Sequence, residues 1–149
     1  MPDKRPGRRG NAIIEFTLFV PWIVFLFVGA LDMGFYINAL ISIQASARAA
    51  AIYCGKSSSQ CTTVSEPCTT ALNELQNLPN VTASLPCTSD PVTVTPSVLT
   101  TAQSPDGVAA AQVSVQYHTA QMIPIPGVLS GQLYLTRTVT IQLPDGAPD

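Results

Sequence analysis

Four cysteines, Cys54, Cys61, Cys68 and Cys87, and one histidine, His118, are the side chains whose types bear most directly on chemistry. Four thiols suit oxidation to two disulfides or thiolate coordination of a tetrahedral zinc ion. Successive cysteines are separated by six, six and eighteen residues. Zinc sites usually pair ligands about two to four residues apart, so the pattern favours disulfides and no metal. An even count gives two bonds and three pairings, among which spacing does not choose.

His118 offers little as a catalytic base. It lies among Val113, Val115 and Tyr117, which alternate with Ser114, Gln116 and His118 itself, the period of a half-buried strand with His118 facing solvent. The chain has no Gly-rich phosphate loop and no nucleophile elbow. No enzyme activity and no cofactor are expected.

Charge is as sparse as catalytic chemistry. Only 11% of the 149 residues are charged, and four of the seven basic ones, Lys4, Arg5, Arg8 and Arg9, fall in the first nine positions. Beyond Gly10, three bases face eight acids, a balance that argues against phosphate neutralisation and a nucleic-acid partner. The length allows one small domain plus an anchoring segment.

The anchor is the run from Ala12 to Leu31, twenty residues whose single charge is Glu15. As a helix it spans roughly 30 Å, the thickness of a bilayer's hydrocarbon core. It is apolar on all sides, and a chain this small has little mass with which to bury it. The basic cluster before it places the N-terminus in the cytoplasm and everything after it outside, where the cysteines oxidise.

The helical period continues through Ile37, Leu40, Ile41, Ala45, Arg48 and Ile52, predicting one helix over residues 11–53 with an alanine-rich face at Ala45, Ala47, Ala49, Ala50 and Ala51. Gly55 reads as its end. Ser65, Glu66 and Pro67 open a short amphipathic helix carrying Ala71, Leu72, Leu75 and Leu78 and closed by Pro79. Val81–Leu85 and Val92–Thr95, bounded by prolines, read as short strands or an irregular loop. Val113–Tyr117 and Leu133–Leu143 read as strands, joined by an apolar connection at residues 123–129 that Pro124 and Pro126 keep from being a strand. The expected class is α+β: a basic leader (1–10), a long helix (11–53, spanning about 12–31) and a small extracytoplasmic antiparallel β domain (54–149) stabilised by disulfides.

A carboxylate inside a span costs about 2.5 kcal/mol or more. Glu15 either lies cheaply at the headgroup boundary beside Arg8 and Arg9 or has a specific role. The surrounding order, Arg8, Arg9, Gly10, four residues, then Glu15 and Phe16, resembles the processing site of type IV prepilins and pseudopilins. That resemblance implies that a membrane prepilin peptidase cuts after Gly10 and that Asn11 becomes the N-terminus, where most major pilins have Phe or Met. It also implies that Glu15, then the fifth residue, pairs with the terminal amine of a neighbouring subunit. With Pro21, Gly29, Asp32, Gly34, Tyr36 and the Ala45–Ala51 stretch around Arg48, the chain is similar to the TadE-like family of the tight-adherence (Flp) pilus system over residues 8–53.

Major Flp pilins are far shorter, so the resemblance implies a minor pilin or pseudopilin of the bacterial inner membrane. Its partners would be other pilin subunits, the prepilin peptidase, the Tad assembly machinery and the lipid bilayer. Two residue readings accompany it. Pro21 frees the Thr17 carbonyl and can kink the helix, with Thr17 helping to satisfy the freed groups. Asp32 and Gly34 either form a helix-packing surface, with Gly29 and Ala30 allowing another helix to approach closely, or Asp32 only marks the aqueous boundary. Two other fates remain open: a secretory signal cut after Val28, Gly29 and Ala30, releasing a soluble binding domain, and an uncut single-pass anchor for an external interaction domain.

Overall fold

The computed structural model describes residues 11–120 and 132–144. The chain divides into two compact units, Met1–Tyr36 and Ile37–Asp149. One helix, α1 (Asn11–Cys54), supplies the described part of the first unit and the opening of the second. The class is α+β, with a long apolar N-terminal helix and a small antiparallel sheet.

In the first unit α1 runs unbroken through Pro21. The Thr17 hydroxyl donates to the Ile13 carbonyl at 2.7 Å. It therefore serves the preceding turn and not the Thr17 carbonyl that Pro21 leaves without an N–H donor, contrary to the expected help. A hydroxyl bonded within its own helix asks nothing further of an apolar surrounding.

The second unit begins with residues 37–54 of α1. Ala39, Ile43, Ser46, Ala47, Ala50, Ala51 and Cys54 are buried, three- and four-residue steps that place them on one helix side. Ile37, Ile41, Ala45, Arg48 and Ile52 lie on the opposite side and are exposed. The stripe read from the large side chains thus faces outward, and the alanines with Ile43 supply the core. Small residues on the inner side let neighbouring elements come close.

α1 stops at Cys54, where Gly55 N–H still reaches the Ala51 carbonyl at 2.8 Å. A Cβ on Gly55 would sit 3.1 Å from Ile141 Cγ2 and 3.3 Å from the Ala51 carbonyl, so close approach explains the glycine. A 3-10 turn (Ser58–Cys61) and α2 (Ser65–Leu75) follow. Pro67 occupies the first turn of α2, where its missing N–H would lack a helical partner anyway, and Glu66 there complements the helix dipole. Ala71, Leu72 and Leu75 form the buried face of α2.

The sheet contains β1 (Thr88–Ser89), β2 (Val92–Leu99), β3 (Ala110–His118) and β4 (Tyr134–Gln142), antiparallel and in chain order. Val92, Val94, Val113, Val115, Tyr117 and Leu135 are buried. Register puts Val92 opposite Tyr117, Val94 opposite Val115 and Tyr117 opposite Leu135, so the period-two pattern fills one face. A cis Asp90–Pro91 bond joins β1 to β2, and the β2–β3 connection turns at Gly107, whose φ of +68° suits a residue without Cβ.

Two expectations between Asn80 and Leu99 change. Val81–Leu85 is not a strand: Asn80 is left-handed (φ 62°) and Leu85 N–H closes a turn on the Thr82 carbonyl at 3.3 Å. Pro96, expected to end a strand, lies inside β2 opposite Val113. β1 pairs only with Val92 and Thr93, and Val94 N–H points to the Cys87 carbonyl on that side. Two residues farther on, the N–H that Pro96 lacks would face where no described strand pairs, so no ladder bond is lost. The apolar connection at 123–129 lies outside the described residues.

Candidate functional site

The site is the apolar part of α1. Between Ile13 and Phe35 large side chains are exposed around the helix: Phe16 and Trp22 are each 67% exposed, and Leu18, Phe19, Ile23, Leu26 and Phe27 are similarly uncovered. The helix is long and apolar enough to cross a membrane, and its most apolar window is wholly unburied among the described residues. A core helix of a soluble domain would bury such a window. An apolar solvent or apolar neighbours satisfy these side chains instead.

The expected processing residues sit at the start of this helix. Gly10 lies outside the described residues, and Asn11, the first described residue, is already helical. Glu15 and Phe16 follow on exposed helix, and Glu15 makes no ion pair with any described residue. Farther along, an added Cβ on Gly29 or Gly34 would meet nothing within 4 Å, so neither glycine is required by packing among the described residues. At about 100° per residue Gly29 and Asp32 share a helix side, with Gly34 on the other. Asp32 Oδ2 is buried and has no hydrogen-bond partner among the described residues.

The cysteines divide into two pairs. Cys68 in α2 and Cys87 before β1 form a disulfide, with Cα atoms 5.8 Å apart. Cys54 and Cys61 are buried free thiols in contact with each other. Burial pushes the Cys54 thiol far above its usual range, helped by its hydrogen bond with Cys61. No group of three or more His, Cys, Asp or Glu placed to hold a metal occurs among the described residues.

His118 is less solvated than expected. Its Nδ1 lies 3.2 Å from Asp90 Oδ2, its ring stacks on Tyr134 at 4.1 Å, and its side chain is only 17% exposed. A pairing across the β1–β2 turn and onto the neighbouring strand β4 is invisible to local periodicity. The same holds for the Tyr117 hydroxyl, which donates to the Pro79 carbonyl at 2.9 Å.

Residues 10–51 match the family model described as TadE-like protein. The N-terminal segment is TadE-like. The match covers α1 almost to its end and stops before the first cysteine. The likeness is that of this segment and does not extend to the sheet domain. No curated protein and no solved structure matches the chain. A helix this long and apolar fits a single-pass membrane anchor.

Proposed function

We propose that the chain is a minor pilin or pseudopilin-like subunit of a Tad/Flp type IV pilus, inserted in the inner membrane with its sheet domain outside. A prepilin peptidase removes residues 1–10, leaving Asn11 as the new terminus. The lipid bilayer holds the helix first, and neighbouring pilin helices replace it on assembly. The observation that carries this reading is the TadE-like helix exposed on all sides, with Glu15 near its start.

The physics of Glu15 supports a pairing role. A lone carboxylate in hydrocarbon is costly, whereas one paired with a neighbour's N-terminal amine is compensated and sets the stagger between subunits. Cleavage after Gly10 creates such an amine four residues before Glu15. Exposed Ile37 and Ile41 prolong the apolar surface beyond the span, which suits lateral packing of helices. The work of this chain is therefore assembly, powered by partners in the membrane machinery.

Terminal sequencing and intact mass of membrane and sheared-surface fractions test the processing step. A start at Asn11 supports it; a start at Leu31 replaces it with a secreted soluble domain, and an intact leader with a plain anchor. Glu15→Ala is expected to remain inserted and cleaved but to enter sheared pili at least tenfold less. Unchanged incorporation removes the role given to Glu15.

A further inference from the structure

Cys54 ends α1 and Cys61 ends the 3-10 turn, both inside the second unit. Both side chains are buried and their thiols are hydrogen-bonded to each other. The six residues between them form a tight return fixed by backbone bonds: Gly55 N–H to Ala51 at 2.8 Å, Lys56 N–H to Tyr53 at 3.3 Å and Gln60 N–H to Ser57 at 3.2 Å. Cys61 Sγ also lies 3.5 Å from the Ser97 carbonyl of β2, so the turn is seated on the sheet. Local backbone geometry and sheet contact together hold both cysteines in the core of the second unit.

We propose that Cys54 and Cys61 form a second disulfide, which ties the end of α1 to the 3-10 turn on β2. The oxidant is a disulfide of a protein or small-molecule thiol. One cysteine, as thiolate, attacks a sulfur of that disulfide and expels one thiolate. The other cysteine then attacks the protein sulfur of the mixed disulfide and expels the second. The two thiol protons end on the two departing thiolates, and the two electrons reduce the donor disulfide.

Burial keeps the Cys54 thiolate scarce in the closed core, so exchange takes place while the chain folds or when the helix end opens. The bond rests on the exported placement given above, because thiols persist in a reducing cytoplasm. Cys68 and Cys87 serve as the internal control for that placement.

The full-length chain, taken from membranes and denatured without reductant in N-ethylmaleimide, is digested with trypsin and mapped by tandem mass spectrometry. Arg48 and Lys56 flank Cys54, so residues 49–56 are released as a separate peptide unless Cys54 is bonded. The expected result is no alkylated cysteine, peptide 49–56 linked at Cys61, and its release on reduction. Cys61→Ser is expected to free Cys54 for alkylation while Cys68–Cys87 persists. Alkylation of Cys54 and Cys61 with Cys68–Cys87 intact overturns the second bond and leaves the exported placement standing. Alkylation of all four overturns both. A link from Cys54 to Cys68 or Cys87 overturns the pairing.

Discussion

The two parts of α1 belong to one helix but meet opposite fates. From Ile13 to Phe35 the bulky residues are exposed on every side, whereas from Ala39 to Cys54 one side is closed over by the second unit. The buried side is built from alanine, serine, cysteine and a single isoleucine; the exposed part is built from phenylalanine, leucine, isoleucine, valine and tryptophan. Residue size thus runs against burial along this helix. The contrast teaches that the apolar part is made to be satisfied from outside the chain, and the small-residue part from inside it.

The sharpest way to break this contrast is to truncate one large side chain from each region. Leu72→Ala, in the core of the second unit, is expected to lower its stability by about 2–5 kcal/mol in denaturant unfolding of the detergent-solubilised chain. Phe19→Ala is expected to leave the same transition within about 0.5 kcal/mol, since it removes no intrachain burial. Equal losses would mean that the apolar region is covered by its own chain after all.

A smaller effect comes from enlarging the small-residue side. Ala50→Leu is expected to cost about 1–3 kcal/mol by overpacking a fully buried position. Ala45→Leu, on the exposed side of the same turns, is expected to be near neutral by thermal unfolding.

The smallest effect tests the polar fastening of the core. Tyr117→Phe removes the hydrogen bond to the Pro79 carbonyl and is expected to cost about 1 kcal/mol near neutral pH. Burial raises the Tyr117 phenol above its ordinary value, although the Ala120 backbone offsets part of this. The neutral form is therefore the one that folding favours. Its stabilisation is complete below the unfolded value of about 10 and declines as pH rises toward the folded value. The wild-type advantage over Tyr117→Phe should shrink above about pH 10, as read from unfolding midpoints across the alkaline range.

The helix was legible because it depends on local order: α1 is already helical at Asn11, the first described residue, and ends at Cys54, one residue later than expected. The alternation of Val113, Val115 and Tyr117 likewise located β3. Facing direction was less legible. Ile37, Ile41 and Ile52 have the right period for a core stripe, but only the fold decides that the small side turns inward. Pro96 misled for a related reason, since a proline is disruptive only where a strand needs its N–H, and the length of β1 settles that. The assignment of Cys68 to Cys87 and the setting of His118 depend on contacts distant in sequence. For the expected processing residues, the resemblance carries more than the geometry, because Gly10 lies outside the described residues and Glu15 makes no ion pair with any described residue.

The strand order has a consequence for how the domain is made. Each strand of the sheet pairs with the one that precedes it in the chain. In the orientation proposed above, with the N-terminus held on the cytoplasmic side, the domain would cross the membrane from its helix end toward its last strand. β2 therefore finds β1 already outside, β3 finds β2, and β4 completes the edge, so the sheet can zip in step with translocation and never waits for a partner still to arrive.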